Sequence, residues 1–247
     1  VRYFIQLSFD GTAYHGWQIQ DNAHSVQAEL NKALSILFQE EMQTLGCGRT
    51  DTGVHAKKFY AHFDSAELPK QVPEIVHQLN CLLPHDIAIQ NIISVDESAH
   101  ARFDAVSRTY EYRIYKKKDP FLRNTAWYFP HELDLDLMNE LSKEIQKYTD
   151  FSCFSKSRTQ TKTNNCTITE VIWKQNADIT VFRISANRFL RNMVRAIVGT
   201  LTEGGRGELT LQQLQDILAS GNRSEAGPSV PAQGLSLIDI RYPFIND

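Results

Sequence analysis

The 247-residue sequence is poor in the features that mark several common classes of protein. It has four cysteines, Cys47, Cys81, Cys153 and Cys166, none in C-x-x-C spacing and most among apolar neighbours. That pattern speaks against a disulfide framework or a zinc site and predicts buried free thiols. No run approaches the roughly 18 consecutive apolar residues of a membrane-spanning helix. The N-terminal VRYFIQLSF alternates like a strand, unlike the apolar block of a signal peptide, which predicts a cytoplasmic protein; Val1 in place of Met predicts a trimmed or processed start. Neither G-x-G-x-x-G nor G-x-x-x-x-G-K-[ST] occurs, which excludes kinase-like and Walker phosphate loops. Positive charge is not in excess either: 26 Lys plus Arg against 29 Asp plus Glu leave −3, which on its face argues against a polyanionic partner.

What is present is apolar material for a sizeable core, 42% of residues, in a length that suits one large domain or two small ones at the usual ~100–200 residues each. In Arg2 to Phe9, Tyr3, Ile5, Leu7 and Phe9 alternate, the period-two signature of a strand with one buried face. Ser25 is a candidate N-cap for a helix in which Val26, Leu30, Ala33, Leu34, Leu37 and Phe38 recur at three- and four-residue spacing. Short strands near Met42 to Cys47 and Lys58 to Asp64, a helix containing Ile75, Val76, Leu79, Leu82 and Leu83, and a strand from Ile87 to Val95 complete a β-α-β-β-α-β order. The second half repeats it: a strand at Arg108 to Tyr115, a helix through Leu137, Leu141, Ile145 and Tyr148, strands at Thr167 to Lys174 and Ile179 to Ser185, a helix at Phe189 to Thr202, and a last strand at Leu235 to Tyr242 after an inserted helix, Leu211 to Leu218. The expectation is an α+β protein of two ferredoxin-like halves, 1–104 and 105–247, whose antiparallel sheets join side by side and leave a cleft between them.

The densest chemistry lies between the second and third strands, in Gly46-Cys47-Gly48-Arg49-Thr50-Asp51-Thr52-Gly53-Val54-His55-Ala56. Glycines at both ends allow a tight turn that presents Asp51 or lets a ligand approach the backbone. By composition alone, two other readings stay open. Asp51 can cap a turn through its own backbone amides, or Asp51-Thr52-Gly53 can be a phosphoaspartate site, although the preceding strand is short and polar and no second acidic cluster accompanies it to hold magnesium.

At this loop the sequence resembles the tRNA pseudouridine synthase A family. Gly48 to Ala56, GRTDTGVHA, is similar to that family's GRTDAGVHA signature, with Thr52 where a smaller residue is common. Tyr14-His15-Gly16-Trp17-Gln18 with Ser25-Val26-Gln27 resembles its Y-x-G-W-Q segment and the residues after it. His100-Ala101-Arg102-Phe103 resembles its H-A-R-F, and Arg108-Thr109-Tyr110-Glu111-Tyr112 its R-x-Y-x-Y strand. Phe151-Ser152 and Phe189 to Arg195 with Val198-Gly199 match later blocks, Arg191-Asn192 falling on a variable pair. The resemblance implies isomerisation of uridine to pseudouridine in tRNA, usually at positions 38, 39 and 40 of the anticodon stem-loop, by a cytoplasmic homodimer without metal or cofactor, and it implies that the cleft between the two halves is the active-site cleft.

It also implies roles. Asp51 is the catalytic carboxylate, acting on the uracil ring, on the ribose or on a sugar proton. Burial alone would neutralise it, and the resemblance pairs it with Arg195; a guanidinium at ~4–6 Å lowers a carboxylate pKa by about 1–3 units. Without the family, Arg195 reads as a surface arginine on the flank of an amphipathic helix whose stripe is Phe189, Met193, Ala196, Ile197 and Thr200. Tyr110 is implied to stack on the target uracil, whereas Tyr112, on the same strand face, reads as a core aromatic. Arg49 is implied to help extrude the base and fill the space it leaves. His55 reads as a brace for the loop, and Arg102 and Phe103 as either hinge support or an RNA contact. Two other classes remain at this level: a non-catalytic RNA-binding module, which leaves the Asp51 loop without a role, and a metal-independent hydrolase using Asp51 with His55.

The net charge conceals an asymmetry. Residues 1–104 hold 7 Lys plus Arg and 13 Asp plus Glu, a balance of −6, while 105–247 hold 19 against 16, a balance of +3. Arg108 to Lys118 and Arg183 to Arg206 each carry five basic residues and one acidic, and Lys156, Arg158 and Lys162 form a third group. Phosphates respond to charge within a Debye length of about 8 Å, so a confined basic surface is the expectation.

Overall fold

A computed structural model describes residues 1–156 and 163–245, so Arg158 and Lys162 of the third basic group lie outside the described residues. The chain is a mixed α/β protein that divides into two compact units, Val1–Val106 with Ser236–Asp247, and Ser107–Leu235. Among the described residues no helix is long and apolar enough to cross a membrane.

The first unit contains β1 (Arg2–Phe9), α1 (Val26–Phe38), β2 (Leu45–Gly46), β3 (His55–Asp64), α2 (Val72–Leu82) and β4 (Ile87–Val95). Its strands run in the order β4-β1-β3-β2, all neighbours antiparallel, the arrangement of a ferredoxin-like unit. Alternation buries Tyr3, Ile5, Leu7 and Phe9 of β1, as expected. Phe4 is also fully buried, on the opposite face, because the rings of Tyr60, Tyr242 and Phe244 close over it at 5.2–6.3 Å. The Ser25 hydroxyl accepts from the Ala28 N–H to start α1, and Gln39 in the left-handed region (φ 58°) stops it.

The H-A-R-F segment folds into a turn fastened by imidazoles. His62 Nδ1 accepts the Ala101 N–H at 3.1 Å, His100 Nδ1 accepts the N–H groups of Arg102 and Phe103, and Asp104 accepts that of His100. Phe103 is left 74% exposed, with the Arg102 guanidinium 5.7 Å from its ring centre.

The second unit contains β5 (Ser107–Tyr115), β6 (Trp127–Tyr128), α3 (Leu135–Ile145), β7 (Ile168–Asn176), β8 (Ile179–Ala186), α4 (Met193–Gly205) and α5 (Leu211–Ser220). The antiparallel order β5-β8-β7 repeats β1-β3-β2, and the two-residue β6, which the sequence pattern does not reveal, lies parallel to the end of β5. Two expectations for α4 change. It begins at Met193 rather than Phe189, because Asn192 sits at φ 67° and cannot continue a helix backwards. It is also not amphipathic: every residue from Met193 to Gly205 is buried except Arg195 and Glu203, as befits a helix packed on all sides. Thr200 and Thr202 satisfy their buried hydroxyls on the carbonyls of Ala196 and Val198. At Gly199 an added Cβ would lie 1.8 Å from Pro228 O, so only glycine admits the loop before the last strand.

That last strand, β9 (Leu235–Arg241), pairs parallel with the start of β3, His55 opposite Ser236 and Ala56 opposite Leu237. Lys58 bonds Asp239 at 3.1 Å, and the Tyr242 hydroxyl donates to Ala101 O at 2.5 Å. These contacts count Ser236–Asp247 with the first unit, whereas a division at 104/105 groups them with the second half. All four cysteines are free thiols; Cys81 is exposed, contrary to expectation, because it falls on the outer face of α2.

Two predictions follow from this packing. Gly199→Ala should destabilise the protein by at least about 1–3 kcal/mol in urea denaturation, since overpacking here displaces backbone rather than a side chain. Burial, with Arg2 and His100 nearby, pushes the His62 imidazole down to about 4. The unfolded chain therefore binds a proton at His62 below about pH 6.5 that the folded chain refuses until about pH 4. Stability should fall as pH drops through that window, and His62→Gln should flatten part of the fall; an unchanged slope of urea midpoint against pH would overturn this.

Candidate active site

The loop from Cys47 to Val54 is fixed by neighbours rather than by secondary structure of its own. Cys47 N–H bonds Tyr60 O at 2.7 Å at its start. Near its end the Val54 N–H returns to Asp51 O at 3.1 Å, with Gly53 at φ 77° in the third position of the turn. A type II turn needs positive φ there, which glycine adopts without strain. The turn around Asp51 is thus closed by its main-chain carbonyl.

The Y-x-G-W-Q segment forms the bed of this loop. Gly16, at φ 90°, lies so near it that a Cβ would sit 2.2 Å from Thr50 O, and Gly53 N–H bonds Tyr14 O. Trp17 is buried beneath, its ring 4.3 Å from that of Phe59. The residues of Ser25-Val26-Gln27 then hold the bed: Val26 N–H bonds Gly16 O, Gln27 N–H bonds Trp17 O, and the Gln27 amide reaches Thr44 O at 2.6 Å. Tyr14 donates its hydroxyl to Asp86 at 2.5 Å, and burial together with that carboxylate raises its pKa.

His55 is buried at the start of β3, its Nδ1 accepting the Gly11 N–H at 3.0 Å. That bond ties the turn at Gly11 to the residue that follows the loop. Arg49 is exposed and Asp51 half-buried. Between them, the Thr50 hydroxyl is sealed from solvent and has no hydrogen-bond partner among the described residues. Such a group costs about 1–3 kcal/mol, a tension the sequence pattern did not signal. A cavity of about 370 Å³ lined by Asp10, Lys57, His85 and Asp86 opens beside the same strands, but Asp51 does not line it.

In the second unit, Tyr110 lies on β5 opposite Ile184, half-buried, with Phe189 edge-on at 5.2 Å and 89°. Tyr112 is a fully buried core ring; its hydroxyl donates to Pro231 O at 2.8 Å, and burial raises its pKa. Arg195, on the first turn of α4, is not a solvated surface arginine: its Nε donates to Val230 O at 2.7 Å while Val230 N–H returns to Arg195 O. Asp51 and Arg49 thus share one loop of the first unit, and Tyr110 and Arg195 stand on β5 and α4 of the second.

Several of the basic residues stand beside the protein's own carboxylates. Lys116 pairs with Glu132, Lys117 with Asp178, Arg113 with Glu111, Arg183 with Glu111 and Glu170, and Arg206 with Glu208. Exposed pairs of this kind contribute about 0–1 kcal/mol each, so a phosphate can take over such a cation at little cost.

Residues 148–243 match the family model for tRNA pseudouridine synthase. The chain is 49% identical over 242 residues to tRNA pseudouridine synthase A of Parabacteroides distasonis, covering 98% of this chain and 96% of that one. It is 46% identical over 246 residues to the protein of the same name from Porphyromonas gingivalis, covering 98% of each. Against the Bacillus subtilis protein of that name the identity is 36% over 248 residues, 98% of this chain and 99% of the other. With identity of this level running through both units, the chain belongs to the tRNA pseudouridine synthase A family.

Proposed function

We propose that this protein isomerises uridine to pseudouridine at positions 38, 39 and 40 of the tRNA anticodon stem-loop, with Asp51 as the catalytic carboxylate. The observation that carries this reading is the loop itself: a half-buried aspartate in GRTDTGVHA, seated on Gly16 and Trp17 and braced by His55. The reaction breaks the bond from the ribose C1′ to uracil N1, turns the freed ring and joins C1′ to C5. The C5 proton leaves and N1 gains one, so no electrons are exchanged and no redox partner is needed.

Asp51 serves as nucleophile or base in its ionised form, and Arg195 supplies the positive charge that keeps it so against desolvation. Tyr110 offers a ring face to the flipped uracil, a contact that adapts to any base because it relies on stacking. Arg49, exposed next to the loop turn, occupies the space the base leaves and offsets part of the few kcal/mol needed to unstack it. The protein works in the cytoplasm as a homodimer.

Unmodified tRNA carrying uridine at these positions tests the assignment, with pseudouridine mapped by chemical labelling and primer extension. Asp51→Asn should abolish modification while tRNA affinity stays within about three-fold, as expected for a group whose contribution is realised in the transition state. Persistent modification by Asp51→Asn would remove it from the mechanism, and absence of modification by the unaltered protein on several such tRNAs would favour an RNA-binding module. Arg195→Ala should lower turnover across neutral pH by about ten-fold or more, with tRNA affinity little changed. Unchanged turnover would refute the charge-holding role.

A further inference from the structure

Arg223 lies in the loop between α5 and β9, a stretch whose composition marks it only as a loop. Among the described residues its guanidinium takes no carboxylate. It donates from Nη1 to Ala226 O at 3.2 Å and Gly227 O at 3.1 Å, and from Nη2 to Ser229 Oγ at 3.0 Å. A cation turned onto its own loop in this way folds Ala226 to Ser229 around itself by charge-assisted hydrogen bonds, which are stronger than neutral ones.

The stretch it gathers makes successive contacts with the first turns of α4 and with β5. Gly227 N–H bonds the Thr200 hydroxyl at 2.9 Å, and Pro228 O rests against Gly199. Ser229 Oγ accepts from Asn192 Nδ2 as well as from Arg223, tying the guanidinium to the left-handed residue that starts the helix. Val230 O accepts Arg195 Nε, and Pro231 O accepts the buried Tyr112 hydroxyl. Prolines at 228 and 231 fix φ on either side of the contact to Arg195. A guanidinium is planar, so fixing its Nε–H direction also fixes the plane in which its Nη groups point.

We propose that Arg223 is a positioning residue for the reaction: it sets the Ala226–Pro231 segment so that Val230 O holds the Arg195 guanidinium in one orientation. This rests on the assignment of Arg195 as the residue that keeps Asp51 ionised. Because Arg223 acts through Arg195 and touches no RNA in this account, its loss should lower turnover rather than weaken substrate binding.

Arg223→Met and Arg223→Lys test it on the full-length protein with unmodified tRNA. Arg223→Met should lower kcat about ten-fold with KM for tRNA within about two-fold, and Arg223→Lys should recover part of the loss. The Arg195 Nε–H signal in a nitrogen-15 spectrum, assigned by its disappearance in Arg195→Lys, should shift or broaden in Arg223→Met. Arg195→Lys combined with Arg223→Met should be no slower than Arg195→Lys alone, the non-additivity of two residues acting through one group. Ser229→Ala, which removes the node shared by Arg223 and Asn192, should change kcat and the signal in the same sense and serves if Arg223→Met does not fold. A lower melting temperature with kcat and the Nε–H signal unchanged would reduce Arg223 to a structural role and overturn the proposal. Full activity in Arg195→Lys would instead remove the reading it rests on, while the Nε–H signal would still report whether Arg223 orients that side chain.

Discussion

The backbone of Thr50 passes within van der Waals contact of Gly16, closer than any residue with a Cβ would allow. The rest of the first unit is arranged around that approach. The Asp51 loop has no ladder or helix to hold it, so its shape comes from what it lies on: a glycine at positive φ, a buried tryptophan and an imidazole whose ring nitrogen accepts a main-chain N–H. Gln27 and the start of α1 hold that bed by main-chain and amide bonds, so the helix cap at Ser25 and the geometry at Asp51 belong to one connected structure. A loop supported this way keeps Asp51 in place without burying it fully.

The second unit uses a different device for the same need. α4 is enclosed on nearly every side, and a helix so enclosed has few places for a charged side chain. Arg195 occupies one of them, and its Nε is bonded to a loop carbonyl rather than left to solvent. Arg223, Ser229 and the prolines beside Val230 make that carbonyl a fixed point. Phe189 against Tyr110 plays a comparable part on β5, holding the ring edge-on while the residue stays half-exposed. The surface charges behave otherwise: Arg113, Lys116, Lys117, Arg183 and Arg206 each have a carboxylate neighbour, and because charge acts within a Debye length the acidic balance of the whole chain does not measure what an RNA would meet locally.

Much of this was legible from residue order. Period-two alternation located β1, and three- and four-residue spacing behind Ser25 located α1, because each is decided by one buried face and a local cap. The Asp51 loop was legible as a motif, and Tyr112 as core from its place on the strand face. Other features were not. Phe4 is buried by residues about 56, 238 and 240 positions away, Asn192 takes a left-handed turn that shortens α4, and Arg195 looked like a surface residue until Val230 closed on it. β9 ends the chain yet pairs with β3. Local sequence determines which face of an element seeks burial and where its caps lie. Which distant segment covers the opposite face, and which carbonyl takes a buried cation, only the tertiary structure decides, because those partners are chosen by packing between residues far apart in the chain.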